Sequence, residues 1–371
     1  MKLAIATDWF APRTGGIESQ LSELATRLVL RGHSVTVITG TPGPSDTRPF
    51  SVHRLDALRL PGLDVMISPR LPRLLATALA EFDLVHAHVS VISPVGYAAS
   101  LIAHAHGIPV VATFHSVLRH KRHLLRVADA LAGVGRSGIV WSAVSRSVAA
   151  QASSALGTNV AVLPNGVDLA FWQPTGNMTR SDREIVFVTS MRLHRKKRPV
   201  ALLRALARAS RGVRRPIRLV VAGDGPARGS VERETQSLRS AGVSVDLVGW
   251  MDRDQLRALY HRADAFVSAS RRESFGIAAL EARAAGAPVI AMREAGSSDF
   301  LEHEINALLC DDDDDLATQV RRIIDDENLR ARLGQCPAAI DRFDWQNVLD
   351  AHAAAYARAM ASRARAAVVA G

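Results

Sequence analysis

Apolar residues recur along this chain in two alternating patterns, short continuous runs and longer segments with a helical period. Residues 2–7 form an apolar run, residues 17–30 an amphipathic segment, and residues 34–39 a second apolar run. Short apolar runs predict buried strands, whereas a 3.6-residue period predicts a helix with one buried face. The start of the chain therefore predicts a βαβ unit, which requires a parallel sheet.

The same alternation continues over the rest of the chain and falls into two series. Further strands are predicted at residues 84–87, 109–113, 139–143 and 160–163, and then at 184–189, 217–222, 243–248, 265–268 and 288–291. Residues 164–179, between the series, hold Gly, Pro and Asn with little apolar periodicity, which indicates a linker. We therefore predict an α/β protein with two doubly wound Rossmann-like domains, residues 1–168 and 169–345, and a C-terminal helix and tail at 346–371.

The amino-acid composition indicates a folded globular protein from a reducing compartment. Hydrophobic residues make up 48% and charged residues 22% of the 371 residues, as in folded globular proteins. The two cysteines, Cys310 and Cys336, match neither a disulfide framework nor a zinc motif, so a reducing compartment is expected. The first apolar run stops at Asp8, which is too short for a signal peptide. We expect a cytoplasmic protein, and a peripheral position at the inner face of the plasma membrane is compatible with this.

The formal net charge of +10 has three candidate explanations: nucleic acid, an anionic membrane surface or a phosphorylated substrate. Aromatic residues make up only 5%, and the arginines fall on predicted helices without a nucleic-acid-reading motif, so no nucleic-acid partner is expected. Basic and apolar residues mingle at 59–75 and 118–126. These segments are either ordinary basic helices or surfaces that rest on an anionic bilayer, and both interpretations stay open.

Two segments combine features that bind phosphate groups. Loop 8–16 places Gly15 and Gly16 just before a helix, whose free backbone amides attract anions, although a plain turn explains the same glycines. Residues 190–198 follow a predicted strand and include Arg192 and Lys197. Ligands of open α/β sheets bind at the carboxyl ends of strands, so we expect an anion site at these two cations.

The most informative segment is 272–282. Glu273 and Glu281 bracket Gly276 and the start of a helix rich in small residues. The start of a helix exposes free backbone amides, which suit an oxyanion. Glutamates in such a helix are usually surface charges, but Glu273 lies between a strand and the helix, where a ligand pocket is expected.

Two further clusters of polar residues have simpler explanations. The aspartates at 311–315 suggest a divalent-metal site, but they lie between an apolar strand and a helix predicted from Leu316, so N-capping and a solvated loop are favoured. Histidines cluster in the first half of the chain, at 86, 88, 104, 106, 115, 120 and 123. We interpret most as solvated or core residues. His115 differs because it follows a predicted strand at its carboxyl end.

In the order in which they occur along the chain, these motifs resemble those of the family 4 glycosyltransferases of the GT-B fold. The resemblance extends over nearly the whole chain. The matching segments are 12–18, 31–35, 86–88, 113–115, 144–145, 164–168, 192 with 197, 222–226, 248–249, 273–281 and 343–345. The resemblance implies two domains that face each other across a cleft and a C-terminal helix that returns to the first domain. Within this family, the chain is similar to bacterial phosphatidylinositol mannoside mannosyltransferases.

The resemblance also implies the reaction. A hexose of the mannose or glucose type would pass, with retention of configuration, from a GDP- or UDP-linked donor to a glycan or lipid-linked acceptor. The nucleotide sugar is a substrate, and neither a cofactor nor a metal ion is implied. A binding protein that kept the GT-B fold and lost catalysis is the alternative, and the intact Arg192, Lys197, Glu273 and Glu281 oppose it.

The resemblance assigns roles to individual residues. Glu273 would bind hydroxyl groups of the transferred sugar, and His115 would line the reacting centre, which makes these two the catalytic candidates. Glu281 would bind the ribose, Met251 the nucleobase, and Gly16 would approach the phosphates from the other domain.

The donor diphosphate would be held by charge and by backbone. Arg192 and Lys197 would neutralise it, the amides of Phe275, Gly276 and Ile277 would cap it, and Ser274 belongs to the same substrate-binding segment.

The chain departs from the family pattern after the second-domain helix. Where the family commonly has Gly-Gly before a Glu, this chain has Ala295, Gly296 and, three residues later, Asp299. The usual Asn-Gly pair is Asn306-Ala307. Both changes bear on sugar selection or loop shape rather than on the implied diphosphate contacts.

Overall fold

The computed structural model describes residues 1–44, 47–56, 66–118, 126, 135, 138–174, 184–239, 241–335 and 340–370. Its strands are β1 (Lys2–Thr7), β2 (Ser34–Thr39), β3 (Ser51–Arg54), β4 (Leu84–Val89), β5 (Val110–Phe114), β6 (Val140–Ala143), β7 (Ala161–Val162), β8 (Ile185–Ser190), β9 (Ile217–Ala222), β10 (Val243–Gly249), β11 (Ala265–Ser268), β12 (Val289–Met292) and β13 (Ala307–Cys310). Its helices are α1 (Gly16–Leu30), α2 (Leu71–Leu79), α3 (Pro94–Ala105), α4 (Arg146–Leu156), α5 (Leu169–Trp172), α6 (Pro199–Ala209), α7 (Arg228–Arg239), α8 (Arg253–Arg262), α9 (Ile277–Ala284), α10 (Asp313–Asp325), α11 (Glu327–Gln335) and α12 (Trp345–Ala370).

The chain forms two compact units, one made of residues 1–166 with 345–371 and the other of residues 167–344. The first unit ends two residues before the boundary expected from the sequence. The C-terminal helix, assigned to a separate segment from residue 346, belongs to the first unit, as the family resemblance implied.

The first unit is built on a parallel sheet in the order β3-β2-β1-β4-β5-β6-β7. Its central strands are buried along their length, which explains why they appear in the sequence as continuous apolar runs. Successive residues of β1 serve opposite faces: Ala4 and Ala6 join the core under α2, α3 and α4, whereas Leu3 and Ile5 pack with α1 and α12. The sheet is thus covered on both faces.

The second unit is built on a parallel sheet in the order β10-β9-β8-β11-β12-β13. Every described strand pair in it is parallel, so the carboxyl ends of all its strands lie at one edge. The loops after β8 and β11 leave from that edge, and they carry the second-unit residues expected to bind the diphosphate. Leu202 and Leu206 of α6 pack with Val320 of α10 in the core of this unit.

The elements differ from the sequence expectations in four respects. β3 was not predicted, because its four residues are only partly buried and show no strong apolar pattern. α10 begins at Asp313 rather than near Leu316, because its first turn consists of aspartates. The segment expected to hold a C-terminal helix and a tail, 346–371, is one helix from Trp345 to Ala370. The strands predicted at 139–143 and 160–163 are also shorter, at β6 and β7.

Candidate functional site

The loop after β8 holds a cluster of cations at the carboxyl edge of the second sheet. Arg192 is exposed, and Lys197 ends a single 3-10 turn that begins at Arg195. His194 accepts a hydrogen bond from the Lys196 amide at 3.1 Å and so caps this turn. Arg198 adopts a left-handed conformation with φ of 57° and leads directly into α6. The turn thereby fixes the position of Lys197 relative to the strand.

Two glycines allow this loop to pack on its neighbour. A Cβ at Gly223 would lie 2.0 Å from the carbonyl oxygen of Met191, and a Cβ at Gly225 would lie 2.6 Å from that of Leu193. Gly223 has a φ of 116°, which glycine tolerates and other residues rarely adopt. The Ala222-Gly223-Asp224-Gly225 motif therefore supports the backbone on either side of Arg192.

Lys197 and Glu273 meet in an ion pair, although they come from different loops. The amine of Lys197 donates a hydrogen bond to Oε2 of Glu273, and both side chains remain partly accessible. The structure thus brings together a residue expected to bind phosphate and a residue expected to bind sugar. A cation paired with a carboxylate can hold a ligand that carries an anionic group next to hydroxyl groups.

The segment that follows Glu273 places backbone amides at the start of α9. Gly276 is the N-cap residue, with φ of 94°, and within the described residues no side chain caps the helix. Ile277 is the first helical residue, so its amide and those of residues 278 and 279 lack partners inside the helix, whereas the Leu280 amide donates to the Gly276 carbonyl. The positive end of the helix and these amides make a site for an anion.

Close packing fixes the backbone of this segment. A Cβ on Gly296 would lie 2.1 Å from the carbonyl oxygen of Ser274, and the Gly296 amide donates to the carbonyl of Glu273 at 2.8 Å. The Phe275 side chain is buried and packs on Phe300 and Phe343, with ring centroids 5.5 and 5.6 Å away. Phe275 is thus an anchor whose backbone, not its ring, is available to a ligand.

Glu281 and Met251 occupy other positions of the second unit. Glu281, on α9, is partly buried and lies near Tyr260 of α8; burial, and then the charge of Glu281, raise the pKa of Tyr260. The Tyr260 hydroxyl is 2.6 Å from the Ser190 hydroxyl. Met251 is partly buried between the exposed Trp250 and the residue that caps α8.

In the first unit, Gly16 is exposed and begins α1. Among the described residues no side chain caps this helix either, because its N-cap is Gly15. Glu18 in the first turn is buried and pairs with Arg13 at 2.9 Å, so the preceding loop is tied to the helix. The amides at Gly16 suit an anion as the sequence suggested.

His115 follows β5 and is buried, with 7% of its surface exposed. Its Nε2 is hydrogen-bonded to Nδ1 of His88 at 2.8 Å. Burial, together with the charge that His352 would carry, lowers the pKa of His115 to about 4, so the ring is neutral at neutral pH. A neutral imidazole has one donor and one acceptor nitrogen.

The partners of His115 were not predicted from the sequence. His88 was grouped with solvated or core histidines, yet it contacts His115 directly, and its ring is tilted against that of His86 with the centroids 4.1 Å apart. His86 is bonded to Tyr356 of α12 at 3.0 Å. The signal available in the sequence was the His86-Ala87-His88 alternation at the end of a strand, which neighbours β5 in the parallel sheet.

The aspartate run is used for capping and ion pairs, which confirms the expected N-cap, although residues 313–315 lie in the helix and not in a loop. Asp312 caps α10 by accepting from the amides of Asp314 and Asp315 at 2.9 and 2.8 Å. Asp313 binds Arg198 at 2.6 Å, and this bond holds the pKa of Asp313 below its usual range. Within the described chain, no group of three or more His, Cys, Asp and Glu side chains is placed to hold a metal ion.

Of the two segments considered for a bilayer, the structure describes residues 66–75 of the first and only residues 118 and 126 of the second. Where it is described, α2 buries Leu71, Leu75 and Leu79 in the core of the first unit. None of the helices that the structure describes has the length and apolar character needed to span a membrane.

Two family models match the chain, and together they cover most of both units. Residues 14–171 match the model described as Glycosyltransferase Family 4, and residues 177–336 match Glycosyl transferases group 1. A D-inositol 3-phosphate glycosyltransferase from Mycolicibacterium smegmatis is 30% identical over 76% of this chain and 69% of its own length. A glycogen synthase from Mycobacterium tuberculosis is 28% identical over 92% of this chain and 91% of its own.

Solved structures share the fold at lower identity. A glycosyltransferase from Rickettsia africae superposes with a TM-score of 0.77 at 17% identity, covering 97% of this chain and 98% of the other. The Anabaena protein HepE, solved in complex with UDP and glucose, gives a TM-score of 0.73 at 20% identity, covering 95% and 98%.

Proposed function

Since this chain belongs to the family 4 glycosyltransferases of the GT-B fold, we propose that it moves a hexose from a nucleoside-diphosphate sugar to a glycan or lipid-linked acceptor. The sugar is of the mannose or glucose type, its configuration is retained, and no metal ion takes part. The pairing of Lys197 with Glu273 beside the uncapped start of α9 is the observation that carries this proposal.

The charge balance of the reaction explains the role of this arrangement. The bond from the anomeric carbon to the diphosphate breaks, and negative charge grows on the departing phosphate oxygen. Arg192 and Lys197 and the amides from Phe275 to Ile277 supply fixed positive charge and hydrogen-bond donors where that charge develops. In other enzymes a metal ion stabilises the negative charge of the leaving group. These cations and amides can stabilise the same charge, which supports a metal-independent reaction.

Glu273 has the chemistry to hold the sugar. A carboxylate accepts hydrogen bonds from two neighbouring hydroxyl groups, and its charge stabilises the positive character of the anomeric carbon in the transition state. The acceptor oxygen bonds to that carbon on the face the diphosphate leaves, and the departing phosphate oxygen takes the acceptor's proton. The products are a nucleoside diphosphate and a glycoside of unchanged anomeric configuration.

The remaining assignments follow the family resemblance. Glu281 binds the ribose, Met251 the nucleobase, and Gly16 and His115 of the first unit belong to the substrate site. The donor carries GDP or UDP, and the binding of UDP and glucose by HepE supports the second of these.

A titration of the purified protein tests the donor proposal. In the presence of EDTA, the melting temperature is measured against GDP, UDP, ADP and their common sugar conjugates. We expect one nucleotide to stabilise the protein, because a ligand that binds only the folded state raises the melting temperature. Stabilisation by a nucleotide without turnover of its sugar conjugate, with any acceptor extract, would indicate a binding protein instead.

A lipid-linked acceptor implies contact with a membrane. The names of two relatives, the D-inositol 3-phosphate glycosyltransferase and a phosphatidylinositol N-acetylglucosaminyltransferase subunit of Arabidopsis thaliana, support acceptors of the inositol class. Co-sedimentation with vesicles of anionic or neutral lipid tests this contact. Equal recovery of the protein with anionic and with neutral vesicles would exclude an anionic bilayer as its partner.

A further inference from the structure

One carboxylate contacts both of the loops that meet in the Lys197–Glu273 pair. Asp313, the first residue of α10, binds Nη2 of Arg198 through its Oδ2 at 2.6 Å. Its Oδ1 lies 3.6 Å from Nη2 of Arg271. Arg198 follows Lys197 in the loop after β8, and Arg271 comes two residues before Glu273 in the loop after β11. Asp313 therefore joins the two loops through one cation from each.

The guanidinium of Arg198 also joins the two loops directly. Its Nη1 donates a hydrogen bond to the carbonyl oxygen of Ala269 at 3.3 Å, while its Nη2 is bound to Asp313. Ala269 is the first residue after β11. The guanidinium is planar, so bonds from two of its nitrogens fix the orientation of the group as well as its position. Asp313 thus holds Arg198 against the loop that leads to Glu273.

The backbone passes this restraint on to Lys197. Arg198 has a φ of 57°, in the left-handed region that residues other than glycine rarely adopt. Such a conformation persists where the surrounding contacts over-determine it, and the two guanidinium bonds are contacts of this kind. The amides of Lys197 and Arg198 donate to the carbonyls of His194 and Arg195, at 2.8 and 3.1 Å. The position of the Arg198 side chain and that of the turn carrying Lys197 are therefore coupled.

The ion pairs of Asp313 contribute little to stability by themselves. The side chains of Arg198, Asp313 and Arg271 are 26%, 35% and 35% exposed, and Arg271 is shared with Glu294 at 3.5 Å. The bond from Arg198 holds the pKa of Asp313 below its usual range, so the carboxylate is charged at neutral pH. A negative charge close to an anion site weakens that site, unless its contacts place the cations that bind the anion.

We propose that Asp313 is a positioning residue of the donor site: by holding Arg198 and Arg271 it keeps the loops after β8 and β11 together, so that Lys197 and Glu273 meet. The restraint on the loops rests on contacts within the second unit alone. Its consequence for the donor rests on the proposed function, because only that function assigns Lys197 to the diphosphate and Glu273 to the sugar. If the diphosphate instead bound Arg198 and Arg271 directly, Asp313 would compete with it.

Hydrogen exchange tests the restraint without any ligand. The amides of Lys197 and Gly296 report on the two loops, because they donate to the carbonyls of His194 and Glu273, each at 2.8 Å. Asp313→Asn keeps the shape of the side chain and removes its charge. We expect both amides to exchange about fivefold faster in this variant, because local opening becomes easier when the ion pairs are lost. Unchanged exchange at either amide would overturn the proposal.

Asp314→Asn is the matched control. Asp314 is the next residue in the same helical turn, and among the described residues its side chain binds Arg208 of α6, at 2.7 Å, rather than a residue of either loop. The control removes the same charge from the same end of α10, so exchange at Lys197 and Gly296 should be unchanged. Equally fast exchange in Asp313→Asn and Asp314→Asn would mean a general effect of charge on the helix and would refute the role of Asp313.

Calorimetric titration with UDP and with GDP, in the presence of EDTA, connects the restraint to the donor. For the nucleotide that binds, we expect Asp313→Asn to raise the Kd about fivefold to tenfold, because Lys197 is no longer held in place. Asp314→Asn should leave the Kd unchanged or lower it slightly, since a carboxylate near an anion is removed. Asp313→Glu keeps the carboxylate and should recover most of the affinity.

The sign of the change in affinity separates positioning from competition. Tighter binding of the nucleotide to Asp313→Asn than to the unmodified protein would show competition and overturn the proposal. Unchanged affinity despite faster exchange would show that the restraint does not serve the donor, and would overturn it as well. If neither nucleotide binds the unmodified protein, the proposed function fails, while hydrogen exchange still decides whether Asp313 holds the two loops together.

Discussion

Lys197 donates a hydrogen bond to the carboxylate of Glu273, a residue 76 positions further along the chain. The two loops that carry them leave neighbouring strands, β8 and β11, at the same edge of the sheet. The pair has no net charge of its own, so a diphosphate that binds Lys197 has to share this cation with Glu273. The first predictions concern the two members of this pair.

Replacing Glu273 should stop transfer and leave the fold intact. We expect Glu273→Gln and Glu273→Ala to lower kcat at least about 100-fold, because the carboxylate's charge acts in the transition state. The side chain is partly exposed, so the melting temperature should change little. Initial rates and thermal melts of both variants provide the check. Substantial retained activity in Glu273→Ala would refute the assigned role.

Replacing Lys197 should weaken binding of the nucleotide. We expect Lys197→Ala to raise the Kd of the nucleoside diphosphate about tenfold or more, because a charge-assisted hydrogen bond is lost. Lys196→Ala is the matched control: Lys196 is an exposed neighbour in the same turn, and its side chain forms no ion pair among the described residues. Calorimetric titration of both variants measures the difference. Equal losses in the two variants would point to general surface charge instead.

Adding one methyl group at Gly296 should disturb the loop that carries Ser274. The new Cβ would lie 2.1 Å from the Ser274 carbonyl oxygen, so the backbone there must shift. We expect Gly296→Ala to reduce the free energy of unfolding by about 1–3 kcal/mol and to weaken nucleotide binding.

Gly229→Ala provides the control for this change. Gly229 lies in α7, where a Cβ would come no closer than 3.8 Å to Arg233, so the variant should be neutral or slightly more stable. Urea unfolding gives both free energies. Equal stability of the two alanine variants would show that the Gly296 contact relaxes without cost.

The stability of the protein should decrease as the pH falls below 6.5. The pKa of His115 and of His352 is about 4 in the folded chain, against 6.5 for an exposed histidine. Between these values the unfolded chain binds more protons, so each such group removes about 1.4 kcal/mol per pH unit as the pH falls from 6.5 to 4.

Asp8 acts in the opposite direction. Burial raises its pKa to about 6 from 3.8, so the folded chain binds the extra proton, and this group adds stability as the pH falls from 6 to 3.8. The histidines outnumber it, and we expect a net loss in urea unfolding between pH 7 and 5. In His115→Gln, the free energy of unfolding should decrease less steeply as the pH falls, by the contribution of about one proton. An unchanged slope would mean that His115 is not neutral in the folded chain.

Replacing Gly166 should loosen the end of the first unit. A Cβ there would lie 2.4 Å from the Trp345 ring, and Gln20 binds both the amide and the carbonyl of Gly166, at 3.0 and 2.8 Å. We expect Gly166→Ala to cost about 1–3 kcal/mol, and Trp345→Leu in the same chain to recover part of it. Thermal melts of the single and double variants measure the coupling, and strictly additive losses would exclude the predicted clash.

Local features of the fold could be predicted because their causes are local. The buried strands of both sheets appear as apolar runs, and the cap of α10 at Asp312 follows from carboxylates in front of a helical period. β3 was not predicted because its residues are only partly buried, which leaves a weak pattern of apolar positions. The ordered motifs identified the family, which the family models bear out.

The sequence by itself predicted the two parallel sheets, and its motifs identified the family and the candidate residues. These could be predicted because periodicity and turn chemistry act over a few neighbouring positions. Only the tertiary structure decided that Lys197 meets Glu273 and that His88 meets His115. Each of these contacts joins distant positions, and strand order and register set the distance between them. A local pattern carries no information about which strands become neighbours.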